Sequence, residues 1–488
     1  MLFNSEVFIL LFLPVTLAAY FLSRRLERNA YLWVILAASL IFYGYWKFSY
    51  VTLLLSSILF NYCIYYFYLK RDLKKSIALF IGIAFNLGLI GYFKYINFLM
   101  NDVLMLADII EAPSPILPLA ISFFTFQQIS FLVDSKKDGV EDVSLLEYAS
   151  YVSFFPQLIA GPIVRHDELI PQFHQKTRAA ELFVPGVVLF TIGLFKKVVI
   201  ADSVSVWVTN GYAAIDSLTM SDAWIVALAY TFQLYFDFSG YSDMAVGLGL
   251  MFGFRMPFNF NSPYKSLSIQ DFWRRWHMTL SRWLRDYLYI PLGGNRHGPS
   301  RTYIHLFITM LLGGLWHGAA WTFVIWGALH GGALAVSRYW SRLGIALPVA
   351  LSWTVTFLFV VSAWVVFRSE SMAQATTLLA KMWGFGPVLL PESWAGGLAA
   401  LGQYVGLRVD QFPAGVTAAL PQQAWMILLG LLLITARVPN SQELVGRFEK
   451  AGRLTQSLWL IPVGIGFAFA LKRLMESSVR SEFLYFQF

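Results

Sequence analysis

Apolar runs long enough to cross a bilayer recur along this whole chain, near residues 6–22, 31–46, 50–68, 76–97 and 115–133, and again near 147–164, 183–201, 222–253, 303–336, 348–367, 424–436 and 456–472. A spanning helix needs about 20 mostly apolar residues, and helices close every backbone hydrogen bond within the segment. The expectation is an all-α polytopic membrane protein of about ten or more helices, with some runs paired or re-entrant, forming a single domain over residues 1–488. Composition agrees: 58% of the residues are hydrophobic and 13% charged, against about 25% charged in a soluble domain. That balance excludes a soluble enzyme and a disordered chain, and a lone cysteine, Cys63, excludes a disulfide scaffold.

The net charge of +8 does not point to nucleic acid, because the basic residues sit in short clusters between apolar runs: Arg24, Arg25 and Arg28, then Lys70, Arg71, Lys74 and Lys75. The positive-inside rule places these clusters in the cytoplasm. The loop after the next apolar run, with Asp102, Asp108 and Glu111, then lies on the far side, as does the N-terminus. Membrane lipid is the expected surrounding. Residues 6–22 read as a first membrane helix rather than a signal peptide, since no small-residue cleavage site follows.

Two segments depart from ordinary spans. In SFFPQLIAGPIVR, 153–165, Pro156 and the Gly161-Pro162 pair interrupt an apolar run. Proline removes a helical hydrogen bond, and a broken backbone at membrane depth must be buried in protein or line a cavity, so the segment is either a kinked span or a re-entrant one. In FNFNSPYKSLSIQDFWRRWHMTLSRWLRDYLYIPLGG, 258–294, arginines alternate with aromatic residues. This pattern suits a cytoplasm-side helical cap with arginines snorkelling outward.

Ionisable side chains inside apolar spans are costly, and each is a functional hypothesis. His317 sits in ITMLLGGLWHGAAWTFVIWGALHG among Gly313, Gly314, Gly318, Ala319 and Ala320, small residues that admit close approach of a helix or a substrate. Either it bridges helices or it acts as a general base toward a hydroxyl, a task suited to an unperturbed pKa of about 6.5. His330, in the same run, reads as structural. His277, in WRRWHMTLSRW, is a candidate second polar contact, with a water-facing interfacial histidine as the plainer alternative. Asp237, Ser239, Tyr241, Ser242 and Asp243 interrupt the apolar pattern of 231–250. The two carboxylates could pair with the arginines of 274–285, hold a helix break, or orient an imidazole; structural roles are favoured.

No H-x-x-x-x-D, G-x-S-x-G or P-loop pattern occurs, which removes the soluble acyltransferase, α/β-hydrolase and ATPase readings. No histidine or cysteine spacing indicates a metal site, so none is expected. The aromatic ending SEFLYFQF would be an aggregation liability if exposed, and is expected to be tucked into the protein, carrying Tyr485 to a defined place.

Taken together and in order, MLFNSEVFILLFLP, SFFPQLIAGPIVR, FDFSGYSDMAVGLG, the 258–294 segment, GGLWHGAAWTFVIWGALHG and the terminal FLYFQF resemble the membrane-bound O-acyltransferase (MBOAT) superfamily, in its bacterial alginate O-acetyltransferase (AlgI) branch. The resemblance covers nearly the whole chain. It implies re-entrant and interfacial helices around a central funnel or tunnel, with His317 as the active-site histidine and His277 as its second polar position. It implies acetyl-CoA as acetyl donor, a bacterial inner-membrane location, and acetylation of an exported polysaccharide, alginate first, through periplasmic hydrolase-like O-acetyltransferase and accessory partners. The C-terminal motif 483–488 resembles one carried by a small separate protein in D-alanylation systems, which makes Tyr485 a candidate acyl relay. Asp237, Tyr241 and Asp243 are candidate supporting residues. Cellulose or peptidoglycan acetylation, D-alanyl transfer and a non-catalytic carrier of acylated intermediates are the alternatives.

Overall fold

A computed structural model of the protein describes residues 1–26, 29–106, 113, 115–137, 139, 142–159, 161–175, 179–384, 423–476, 483 and 484. Among these residues the regular structure is helical, without a β-strand. Five helices are long and apolar enough to cross a membrane: Ser49–Leu69, Lys75–Tyr95, Ala179–Ala213, Val349–Arg368 and Arg453–Glu476. Ala424–Arg437 and Ser441–Lys450, bent by 50° at their junction, make a sixth if counted as one span. The expectation of about ten or more therefore exceeds what length and apolarity support among the described residues. The shortfall has identifiable causes. Val7–Ser23 and Ala30–Gly44 are shorter apolar helices. The run near 303–336 is a hairpin of two helices, Gly298–His317 and Trp321–Leu343, and the run near 147–164 is broken into pieces.

The run near 222–253 is one continuous helix, Met220–Met251. Its 32 residues extend about 48 Å at 1.5 Å per residue, and nearly all of them are buried. Aspartates and hydroxyl side chains are tolerated along it because protein, not lipid, surrounds it. The peripheral helices show the opposite pattern, with Leu10, Val15, Trp33, Phe80, Leu433 and Ile465 all exposed, an apolar outer surface suited to acyl chains. We call Met220–Met251 the central helix.

Two glycine contacts hold the central helix against Ala179–Phe195. A Cβ on Gly193 would lie 2.4 Å from the Gly240 carbonyl oxygen, and one on Gly186 would lie 2.6 Å from that of Gly247. The contacts are seven residues apart on each helix and run in opposite directions, so the two backbones touch along an antiparallel seam. In lipid, where apolar side chains gain little by leaving the solvent, such close packing is a principal source of helix association. The histidine hairpin uses the same device: a Cβ on Gly314 would lie 2.3 Å from the Phe323 carbonyl oxygen, and one on Gly327 would lie 2.5 Å from that of Met310.

The segment 153–165 is a true break, not a kink. Phe154 leaves helical geometry at φ −48°, ψ 105°, a single turn Phe155–Leu158 follows, and regular structure resumes at His166–His174. The freed backbone is answered from inside the protein. The Phe155 N–H donates to Ser39 Oγ at 3.1 Å, the Ile163 N–H to Thr279 Oγ1 at 2.9 Å, and the Tyr151 hydroxyl to the Val164 carbonyl at 3.0 Å.

Gly193→Ala should separate the seam and cost about 1–3 kcal/mol, the usual range for overpacking. Gly88, where an added Cβ would meet nothing within 4 Å, should accept alanine without loss. Thermal unfolding of both variants in detergent checks the contrast.

Candidate active site

His277 and His317 arrive from different elements and meet across one indole. His277 is fully buried and heads the short helix Met278–Leu284 in the left-handed region, at φ 41° and ψ 54°. Such a conformation costs a non-glycine residue of order 1–3 kcal/mol and persists only where the surroundings impose it. They do so here through the crossing segment 259–261. The Met278 N–H donates to the Asn259 carbonyl at 2.9 Å, and the Asn261 N–H to the Arg275 carbonyl at 2.9 Å. The Thr279 hydroxyl donates to Asn259 Oδ1 at 2.6 Å while accepting from Ile163, which ties this turn to the broken segment.

His317 is the last residue of its helix, and Gly318 leaves in extended geometry. Only glycine fits there, since a Cβ would lie 2.1 Å from the Phe323 ring. The Trp316 ring lies 5.0 Å from the His317 ring and 6.4 Å from that of His277. Trp326 and Phe367 close around His317 at 5.2 and 5.3 Å. His330 accepts a hydrogen bond at Nδ1 from Trp273 Nε1 at 3.2 Å, inside a cage that includes Trp326 and Phe359, the structural placement expected of it.

The last three carbonyls of the His317 helix are orphans of the helical ladder. They are met by two consecutive residues at the end of Lys75–Tyr95. Lys94 Nζ donates to the Trp316 carbonyl at 2.7 Å and the His317 carbonyl at 3.0 Å, and the Tyr95 hydroxyl donates to the Leu315 carbonyl at 2.7 Å.

The carboxylates of the central helix do not pair with the arginines of 274–285. Asp237 and Lys197, both 1% exposed, meet at 2.6 Å, and Asp243 meets Lys196 at 2.7 Å. Three of those arginines are engaged elsewhere: Arg275 with Asp271, Arg282 with Glu168, and Arg285 with Asp286, which also binds Arg165. Lys94, Lys196 and Lys197 were hidden by the apolarity of their own runs, although an ionisable residue in such a run was itself the signal.

Phe483 and Leu484 dock beside the site. Asp237 Oδ2 accepts from the Leu484 N–H at 3.1 Å. Phe483, fully buried, stacks on Tyr241 at 4.7 Å, and Phe3 stacks on the same ring at 4.7 Å. Phe238 completes the link, with its ring 5.6 Å from Phe483 and edge-on to His277 at 4.7 Å. Tyr485 lies outside the described residues.

Two cavities lie along the hairpin, and His317 lines the smaller of them. A groove of about 550 Å³ reaches Trp273, Met278, Thr309 and Met310, and is rimmed by Arg274, Arg282, Arg285 and Arg338. A second space of about 100 Å³ lies at the far end of the His317 helix, lined by His317, Trp316, Lys94, Ser122, Phe123 and Ile159. Ile159 belongs to the broken segment, which thus contributes to the lining of a cavity. Among the described residues no group of three metal-ligating side chains is present.

The two histidines are buried inside a helical body whose exterior is apolar. The family profile described as "MBOAT, membrane-bound O-acyltransferase family" matches residues 41–373, and the chain belongs to that family: it is a multi-pass membrane acyltransferase. It is 41% identical over 526 aligned residues to the peptidoglycan O-acetyltransferase of Helicobacter pylori, covering 100% of this chain and 98% of the relative. It is 45% identical over 408 residues to the "Probable alginate O-acetylase AlgI" of Pseudomonas aeruginosa, covering 80% of this chain and 76% of the relative. The teichoic acid D-alanyltransferase of Bacillus subtilis is 30% identical over 274 residues, 52% of this chain and 69% of the relative.

Asp237→Ala removes the acceptor for Leu484 and one partner of a buried pair, a change that costs up to about 3–5 kcal/mol and less here because Asp202 also accepts from Lys197, at 2.8 Å. The variant should melt lower and lose its last residues to carboxypeptidase faster than wild type. Asp237→Asn, which keeps an acceptor oxygen for Leu484, should be trimmed more slowly than Asp237→Ala.

Proposed function

We propose that this acyltransferase takes acetyl groups from acetyl-CoA on the cytoplasmic side of a bacterial inner membrane and delivers them outward for O-acetylation of an exported polysaccharide. The observation that carries this reading is the placement of His317 and His277 across Trp316, with an arginine-rimmed groove that reaches Met278, the residue after His277, and a separate cavity lined by His317. Donor and acceptor then have different doors. Arg282 and Arg285 are held by Glu168 and Asp286, whereas Arg274 and Arg338 have no carboxylate partner among the described residues. Free guanidinium groups at a groove mouth suit a diphosphate, which they can grip with paired hydrogen bonds.

In this mechanism His317 takes the proton of an acceptor hydroxyl as it attacks the thioester carbonyl, and His277 orients the reacting group or stabilises the tetrahedral intermediate. A thioester is activated enough that no ATP is required, in keeping with a sequence that has no P-loop. The docked tail makes Tyr485 the proposed acceptor, since its neighbours Phe483 and Leu484 are fixed against Phe238, Tyr241 and Asp237. From there a periplasmic hydrolase-like partner would pass the acetyl group to the polymer. Alginate remains the first reading of that polymer. Peptidoglycan is the second, favoured by the match to the Helicobacter pylori enzyme over the full length of this chain. A carrier without chemistry would leave the donor intact, which separates it from both.

Brief incubation of purified protein with acetyl-CoA should add one acetyl group to the C-terminal peptide, read by mass spectrometry. His317→Ala and Tyr485→Phe should each abolish that addition while inserting normally into membranes. Acetylation by His317→Ala at the wild-type rate would defeat the mechanism; donor turnover with an unmodified tail would make transfer to the partner direct.

Arg274→Ala combined with Arg338→Ala should raise the KM for acetyl-CoA about tenfold or more with kcat little changed, because contacts to a remote diphosphate contribute equally to ground and transition states. Initial-rate kinetics of thiol release measure it.

A further inference from the structure

Lys94 is a cation inside an apolar helix, and among the described residues no carboxylate neutralises it. Its ammonium donates instead to two backbone carbonyls, those of Trp316 and His317. An ammonium group has three N–H donors, so one remains after both carbonyls are served. Lys94 is partly exposed, and it lines the small cavity together with His317 itself. That space, about 100 Å³, has room for about three water-sized groups at about 30 Å³ each, enough for an acyl carbonyl and the atom attacking it.

We propose that Lys94 is a catalytic residue whose third N–H donates to the acyl oxygen as it becomes an oxyanion. The inference rests on the acyl-transfer reading above. As the acceptor oxygen bonds to the thioester carbon, the carbonyl π electrons move onto the oxygen, which Lys94 holds, and the hydroxyl proton passes to His317. Collapse of the intermediate restores the carbonyl, breaks the carbon–sulfur bond and expels the thiolate, which takes the proton back from His317. In this step Lys94 acts as the ammonium and neither gives up nor takes a proton. The two carbonyl bonds fix its ammonium in place before the substrate arrives, so no reorganisation accompanies the reaction, the condition under which an oxyanion donor is most effective. A cation at a helix C-terminus is also favoured by the helix dipole, which helps retain the charge in an apolar setting.

The test separates this role from simple support of the helix end. Lys94→Gln keeps two N–H donors for the carbonyls but lacks the charge and the third donor. Tyr95→Phe removes a neighbouring bond to the same helix end, at Leu315, without touching the cavity. Thiol release from acetyl-CoA should show kcat for Lys94→Gln reduced about 100-fold or more, the loss seen on removing one oxyanion donor, with KM within threefold of wild type. Tyr95→Phe should stay within threefold in both constants. A Lys94→Gln kcat within tenfold of wild type, or an equal loss in Tyr95→Phe, would overturn the proposal and leave Lys94 as a helix cap. Full activity in His317→Ala, measured alongside, would instead remove His317 as the base and with it the proposed mechanism on which this inference rests.

Discussion

The pairing of Lys197 with Asp237 is the interaction on which the rest of the structure hangs. Two charges that are each 1% exposed repay their desolvation only when geometry is close and the remaining hydrogen-bonding capacity is met. The glycine seam makes that geometry available. Gly193 lies one helical turn before Lys197, and Gly240 one turn after Asp237, so the contact that brings the two backbones together also brings the two side chains to one level. Lys197 directs a further donor to Asp202, and Asp237 a further oxygen to Leu484. With the central helix locked, Phe238 on its next position faces His277 and the adjacent Tyr241 supports the tail.

The same demand for internal partners shapes both histidine positions. His277 occupies a strained backbone conformation because Asn259 and Asn261 hold the turn from one side and Thr279 bridges to the broken segment on the other. His317 sits where a helix stops, and stopping leaves carbonyls that lipid cannot satisfy. Lys94 and Tyr95 satisfy them, and Lys94, one of the two residues that allow the helix to end, also lines the cavity. Irregular backbone, costly in a membrane, is concentrated where access to the histidines is needed.

Much of this was legible in the residues. Long apolar runs announced a helical membrane protein, Pro156 and Gly161-Pro162 announced a break, and glycine on both sides of His317 announced close packing around an interior imidazole. The number of spans was less legible, since hydropathy does not distinguish a run facing lipid from one buried in protein, and the central helix is the latter. Charge partners were the least legible. Asp237 and Asp243 stood out in their apolar run, but whether arginines about 40 residues downstream or lysines about 40 residues upstream would answer them depends on which helix lies alongside. The seam glycines that decide it are ordinary in a chain with 35 glycines.

Tyr241 stacks between Phe3 and Phe483, residues 480 positions apart in the chain. During synthesis the contact with Phe3 can form once the central helix is inserted, whereas the contact with Phe483 waits until that residue has been made. Phe483 also packs on Phe238, the ring edge-on to His277, so a nascent chain that already holds both histidines still lacks this support. Possession of the chemistry and possession of the finished site are separated in time, and the interval is set by the length of the chain between them.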